Sequence, residues 1–451
     1  MMREPFFTLL PRPAPASLRG SKLLVLGLGD TGLSVARFAE SEGAAVRVAD
    51  TRRDPPRRAD FAGEFHAGPF RSALLDGVDL LCISPGLPLD SALVRAALER
   101  RLPVVGDVEL FAWKNRAPVL AITGTNGKST VTALAAHLLR SAGRDAVAAG
   151  NLAPPVLDAL MSRASPPAAW ALELSSYQLE TTWSLEPRAA AMLNLSEDHL
   201  DRYAGIDDYG AAKARIFLGA GVQILNRNDP RSLAMALPGR SVVTFGLDAP
   251  PTAVDFGIVK GALVRGQAKL VELAQLPIHG LHNATNALAA CALAEVLGLS
   301  LLQLGHGLLS FRGLAHRLER VAVRNGVEWY DDSKGTNVGA TIAALQGLGR
   351  KAVLILGGEG KGQDFSPLTD PVRRHAAHVL LIGRDAALIE TVLSGVASER
   401  CRSLQAAVER AAQLARPGEA VLLSPACASF DMFRDYKHRG EAFVAAVRSL
   451  S

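Results

Sequence analysis

The chain has 451 residues, 49% hydrophobic and 21% charged, the balance of a globular protein too long for one ordinary core, so two or three domains are expected. No run approaches the roughly 18 apolar residues of a membrane span, and the four cysteines, Cys82, Cys291, Cys401 and Cys427, form no CxxC pair, which argues against a disulfide frame or zinc site and for buried thiols in a reducing, cytoplasmic setting. The net charge of +5 comes from dispersed basic residues with one short cluster at Arg52-Arg53 and Arg57-Arg58, so an anionic small molecule explains it more simply than nucleic acid.

The first segment, residues 1–106, opens with Arg3 and apolar residues interrupted by Pro11, Pro13 and Pro15, which reads as a flexible leader and not a signal peptide. Lys22–Leu26 reads as a buried strand, followed by a helical run to Glu42 and by strands at Val46–Ala49 and Leu80–Ile83. Gly27-Leu-Gly-Asp-Thr-Gly32 follows the first strand, and Asp50 ends the second, a GxGxxG fingerprint in its proper context. NAD, the pyrophosphate of any other nucleotide, and plain tight packing of helix on strand all fit this loop.

The second segment, 107–312, carries the most informative motif. Val119–Ile122, Ala189–Leu193 and Gln223–Leu225 read as strands and Val131–Leu139 as a helix, with Gly124-Thr-Asn-Gly-Lys-Ser-Thr130 between the first strand and that helix. Loop amides and the helix N-terminus would face a phosphate, Lys128 would reach the β- and γ-phosphates, and Ser129 or Thr130 would hold Mg²⁺. Ile122 replaces the first glycine of the common pattern, so the loop is a short variant. Glu173 ends the strand-like run from Trp170 and is either a Mg²⁺ ligand or a solvated acid. His199, in Glu197-Asp-His-Leu-Asp-Arg-Tyr203, is a metal or substrate ligand or a structural histidine. Lys213 reads locally as a helix-surface lysine. Short alternating strands are expected over 252–276, and a helix over 283–297. Asn283 and Asn286 lie one turn apart and could read an adenine edge, with N-capping by Asn283 as the alternative.

The third segment, 313–451, has apolar strands at Val353–Leu356, Val379–Ile382 and Ala420–Leu423, each ending in glycine or Ser-Pro. Loops would therefore gather at one edge of a parallel sheet, where open α/β folds bind ligands. Lys334, Thr336, Lys361 and Ser429 would line a cationic, hydroxyl-rich pocket for a small acid. Arg317, at the segment boundary, is a surface hinge residue or one that swings onto a phosphate when domains close.

Taken in order, GTNGKST, ELSSYQLE, EDHLDRY, HNATNALAA, HRLE, DDSKGTN, GGEGKGQDF and SPACASFDMF resemble the Mur ligases, the ATP-dependent amide-forming family of peptidoglycan assembly, from about residue 20 to 445. The phosphate loop and HNxxN are shared with folylpolyglutamate synthases, whereas ELSSYQLE, DSKGTN and SPACASFD point to the D-glutamate-adding branch. The resemblance implies an α/β fold of three domains: an N-terminal Rossmann-like domain, a central P-loop ATPase domain with a small β-meander, and a C-terminal Rossmann-like domain. It implies ligation of D-glutamate to UDP-N-acetylmuramoyl-L-alanine through an acyl phosphate, by a cytoplasmic monomer using ATP and two Mg²⁺ ions. Thr31, Thr51, Arg52, Ser84 and Asn151 would contact the UDP-linked substrate. Gly124, Thr125, Asn126, Gly127 and Lys128 would hold the ATP phosphates, Asn283 and Asn286 its adenine, and Arg317 and Asp332 would close over it. Glu173, His199, Ser129 and Thr130 would ligate Mg²⁺, joined by Lys213 once carbamylated by CO₂. Thr336, Lys361, Ser429 and Phe430 would hold D-glutamate, with Lys334 and Tyr436 beside them. Asp30, Phe430, Tyr436 and the Gly150–Pro155 segment depart from the family pattern. An NAD-dependent dehydrogenase is the other reading of the first segment, and the second phosphate loop argues against it.

Overall fold

The computed structural model describes residues 17–198 and 202–450; the leader and His199 lie outside the described residues. Three sheets follow one another along the chain. The first contains β1 (Lys22–Leu26), β2 (Ala45–Asp50), β3 (Glu64–Ala67), β4 (Leu80–Ile83) and β5 (Val104–Val105). It is parallel throughout, in the order β3-β2-β1-β4-β5. Strand β1 is apolar on both faces because both are covered: Leu23 and Val25 join one core, Leu24 and Leu26 another. The helix Asp30–Ser41 packs so closely that a Cβ on Gly32 would sit 1.8 Å from the Gly27 carbonyl oxygen.

The second sheet contains β6 (Val119–Thr123), β7 (Ala146–Gly150), β8 (Ala169–Glu173), β9 (Ala189–Met192), β10 (Val222–Asn226), β11 (Val242–Phe245), β12 (Phe256–Val259), β13 (Ala262–Arg265) and β14 (Ala268–Glu272), in the order β14-β13-β12-β11-β10-β9-β6-β8-β7. Strands β12, β13 and β14 form the antiparallel meander. The helices Lys128–Ser141 and Leu281–Val296 cover one face of this sheet. Its other face shares a continuous apolar core with the first domain, through the helix Asp107–Lys114, whose Phe111 meets Trp170 edge-on at 5.1 Å.

The third sheet contains β15 (Glu319–Arg324), β16 (Val327–Asp331), β17 (Ala352–Gly357), β18 (Ala376–Ile382), β19 (Ser398–Arg400) and β20 (Ala420–Leu423), in the order β15-β16-β20-β17-β18-β19, with β15 alone antiparallel. The expected architecture of three α/β units is therefore present. The strands absent from the sequence reading are β3, β5, β7, β15 and β19, which lie at sheet edges, and the interior β11 and β16. Strand β3 has no buried residue, so no apolar pattern marks it. All four cysteines are free, with Cys401 only partly buried. Among the described residues no helix is long and apolar enough to cross a membrane.

Candidate active site

Strand β6 delivers the chain into the loop Gly124–Gly127, which needs two positive φ angles, +151° at Gly124 and +85° at Gly127. Gly127 precedes the helix Lys128–Ser141 with no side-chain cap, so the first-turn amides are not claimed by one. A Cβ on Gly127 would come within 2.4 Å of Asn286 Oδ1, so glycine also lets the second helix approach the loop. The loop is stitched to the segment after β9. Thr125 N donates to the Asn194 carbonyl (2.9 Å), Asn126 N to Asn194 Oδ1 (2.8 Å), and Asn194 Nδ2 back to the Asn126 carbonyl (3.1 Å). Lys128 Nζ folds along the loop, donating to the carbonyls of Gly124 (2.9 Å) and Thr125 (2.8 Å).

Glu173 closes β8 beside this loop and is 3% exposed. Its Oε1 accepts from Asn151 Nδ2 at 2.7 Å, while Oε2 is buried with no partner among the described residues. A solvated strand-end acid is thus excluded.

Lys213 is not a surface lysine, contrary to its local sequence reading: it is 1% exposed. The helix Ile206–Ala214 lies beneath the phosphate loop, and Lys213 Nζ donates to the Gly124 carbonyl at 2.9 Å and to Thr123 Oγ1 at 3.3 Å. Burial, then the charge of Lys128, pushes its ammonium well below the ordinary lysine value against the pull of Asp198 and Glu173. Lys128 shifts down through burial too, and Lys334 falls to about 8 through burial and then Arg317. Four basic side chains, the buried Lys213 and the half-buried Lys128, Lys334 and Arg317, thus crowd a site that Glu173 and Asp198 only partly balance. Such a site is built for anions.

A cleft of ≈ 550 Å³ opens on the loop between the second and third domains. Asn126, Gly127 and Thr130 line it from the loop, Asn283 and Asn286 from the helix Leu281–Val296, and Arg317, Asp332 and Lys334 from the third domain. That helix starts at Leu281 after Gly280, so Asn283 is not its N-cap; its Nδ2 instead donates to the His279 carbonyl at 2.8 Å. Asn286 Nδ2 donates to Asn283 Oδ1 at 3.2 Å, fixing the pair on one face. Sequence reasoning missed the apolar side of the cleft, Phe245, Leu247 and Leu281, and also His282, whose imidazole burial holds neutral, with a pKa lowered to about 4. Its place directly before Asn283 in HNATN was the available signal.

From the third domain, Arg317 Nη2 donates to Ser129 Oγ at 2.6 Å, so this hinge arginine reaches the phosphate loop. Asp332 follows β16, accepts from Ser424 Oγ at 2.7 Å, and is pushed up to about 7 chiefly by burial. Lys334 Nζ lies 4.0 Å above the Tyr436 ring. Ser429 is buried, Thr336 is half-buried, and Lys361 and Phe430 are exposed, the latter at 65%. Arg439 was missed entirely. It is 0% exposed and clamps two site loops together, donating to Ser333 Oγ (3.0 Å), the Ser333 carbonyl (2.8 Å) and the Cys427 carbonyl (3.1 Å). An arginine directly before a glycine, in a helix packed against the sheet, was its only sequence mark.

The first-domain residues stand at the carboxyl ends of the first sheet: Thr31 after β1, Thr51 and Arg52 after β2, Ser84 after β4. Ser84 Oγ donates to the Gly27 carbonyl at 3.1 Å. Arg52 forks onto Asp50 at 2.9 and 2.7 Å. Burial alone would raise the Asp50 pKa, but the Arg52 fork and the amides of Leu28 and Arg52 outweigh it and bring it to about 2.

A phosphate loop at the seam between a central nucleotide-binding sheet and a separate α/β domain defines an ATP-dependent ligase architecture. Family models match along the chain: the Mur ligase MurD-like N-terminal domain at 21–106, the Mur ligase middle domain at 122–294 and the Mur ligase glutamate ligase domain at 316–427. The chain belongs to the Mur ligase family and is a ligase. It is 56% identical over 461 aligned positions to the UDP-N-acetylmuramoylalanine–D-glutamate ligase of Thiobacillus denitrificans, covering 96% of this chain and 97% of that one. It is 53% identical to the protein of the same name from Aromatoleum aromaticum, covering 96% and 98%. Among solved structures, MurF from Acinetobacter baumannii matches in fold with a TM-score of 0.61 at 19% identity, over 96% of this chain and 92% of that one. UDP-N-acetylmuramate-alanine ligase from Thermotoga maritima matches with a TM-score of 0.59 at 19% identity, over 95% and 99%.

Proposed function

We propose that the chain joins D-glutamate to UDP-N-acetylmuramoyl-L-alanine at the expense of ATP, giving an amide, ADP and phosphate in peptidoglycan precursor synthesis. The observation that carries this reading is the convergence of Lys128, Lys213, Lys334 and Arg317 on one phosphate loop at the seam of two domains. All three reactants are anions that repel one another in water, and a basic seam offsets that repulsion. The names of relatives at 50% identity and above, over nearly the whole chain, supply the substrates.

A carboxylate is a poor electrophile. Its oxygen attacks the γ-phosphorus, an acyl O–P bond forms, and the bond to the β-phosphate oxygen breaks with ADP leaving. The amine of D-glutamate then adds to the acyl carbon, phosphate departs with the C–O electron pair, and the nitrogen loses a proton. Lys128 and Arg317 would neutralise the moving phosphoryl charge, and Thr125 and Asn126 would fix the loop geometry. Asn283 and Asn286 would orient the base. Thr31, Thr51, Arg52, Ser84 and Asn151 would hold the UDP-linked substrate, and Lys334, Thr336, Lys361, Ser429, Phe430 and Tyr436 the amino acid. Asp332, protonated in part near neutrality, would seat the loop after β16.

The residues present fit a hard divalent cation: Glu173 Oε2 is a buried carboxylate oxygen without a partner among the described residues, and Thr130 offers a hydroxyl at the helix start. Glu173, Thr130, Ser129 and His199 would hold Mg²⁺, which supplies charge neutralisation for phosphoryl transfer. We assign a second ion to Lys213 as a carbamate. Its depressed basicity favours the free amine, whose nitrogen bonds to the carbon of CO₂ with loss of a proton. The product places a negative charge beside Lys128, Lys334 and Arg317. We also take the domains to divide at 106/107 and 312/313 and the enzyme to act as a cytoplasmic monomer, since one chain offers a sheet edge to each reactant.

The acyl-phosphate route is tested with the alanyl carboxylate labelled with ¹⁸O. One label should appear in released phosphate. Phosphate without label would reject the route.

A further inference from the structure

Asn337 ties the third domain to the phosphate loop through a single side chain. It is the N-cap of the ten-residue helix Val338–Gly347, with its Oδ1 accepting from Ala340 N at 2.8 Å. Its Nδ2 donates to Asn126 Oδ1 at 3.2 Å, across the domain seam. Asn126 is itself fixed through its backbone by Asn194. Three neutral amides therefore run from the end of β9, through the phosphate loop, to the start of a helix in another domain. The approach is close: a Cβ on Gly339 would lie 3.4 Å from Asn126 Nδ2 and 3.6 Å from Ser196 Oγ. Gly339 and Ala340 line the same cleft as Asn126 and Gly127, so this helix presents its positive end to the nucleotide space.

The cap and the cross-domain bond are the two ends of one planar group. If Asn126 moves, Asn337 cannot follow by turning without losing its cap, because rotation exchanges donor and acceptor. We propose that Asn337 is a positioning residue that lets the third domain seat on the phosphate loop only while Asn126 holds the orientation that accepts from it. This couples nucleotide occupancy to domain closure, and it rests on the reading of the loop as an ATP site.

The test uses Asn337→Ser, which keeps an N-cap of comparable strength but is too short to reach Asn126. Asn126→Ala and the double variant complete a cycle. Affinity for a non-hydrolysable ATP analogue with Mg²⁺ is measured by calorimetry, closure by small-angle scattering, and stability by thermal melting. Asn337→Ser should melt like the parent, bind the analogue roughly tenfold more weakly, as the loss of one interdomain hydrogen bond implies, and show less compaction. In the Asn126→Ala background it should do nothing further. Additive losses in the double variant, parental binding and compaction, or a lowered melting point with parental binding would each overturn the proposal. These readouts need neither UDP-linked substrate nor D-glutamate. A parent that binds the analogue and compacts but forms no amide would contradict the substrate assignment and leave the coupling intact.

Discussion

Arg317 and Ser129 lie 188 residues apart, yet the guanidinium donates to the hydroxyl at 2.6 Å and so places a third-domain cation at the start of the phosphate-loop helix. Arg317→Ala should lower kcat by roughly 10²–10³-fold, the range for losing one charge-stabilising donor, and should raise KM for ATP. Arg317→Lys should recover little of this, because a lysine cannot fork between Ser129 and a phosphate. Steady-state kinetics with ATP varied checks both.

Glu173 presents a buried oxygen with no hydrogen-bond partner among the described residues. Glu173→Gln removes that charge while keeping shape and the acceptor for Asn151. Melting temperature should hold or rise, while turnover falls at least about 100-fold and half-saturation by Mg²⁺ shifts upward. Unchanged Mg²⁺ dependence would remove Glu173 from the metal site.

Lys213→Ala should abolish turnover and regain part of it in millimolar acetate or propionate, whose carboxylate replaces the missing carbamate. Lys213→Arg should stay inactive, since a guanidinium forms no carbamate at working pH. The parent should lose activity in buffer stripped of CO₂ and regain it with bicarbonate. Activity insensitive to CO₂ would reject the modification.

Asp107 begins the helix that joins the first two domains, and burial raises its pKa from 3.8 to about 6 against the Gln178 amide. Between those values the folded state binds more protons than the unfolded chain, so stability falls as pH rises from about 4 to 6 and levels off above. Asp107→Asn should flatten this slope and, at pH 8, gain up to roughly 3 kcal/mol, the worth of a two-unit shift. Urea unfolding at several pH values measures it.

Much of this arrangement was legible in the sequence where chemistry is local. The strand–loop–helix around Gly124–Thr130, the apolar strands β1, β6, β17 and β20, and the motifs at their carboxyl ends are all written within a few residues. Lys213 was not legible from its own helix. Its neighbours include Asp207, Asp208 and several alanines, and what buries it is the phosphate loop, some 90 residues away. Arg439 and Asn337 were hidden for the same reason, since their partners at Ser333, Cys427 and Asn126 come together only when separate sheets pack. The exposed edge strands lacked the burial that creates a pattern.

Phosphate release from MgATP with UDP-N-acetylmuramoyl-L-alanine, with D-glutamate or L-glutamate added in parallel and the UDP-linked product weighed, reads the substrates and the stereochemistry together. Release and a product heavier by one glutamate residue should appear with the D enantiomer alone. Release with L-glutamate, or no release with either, would contradict the proposed function.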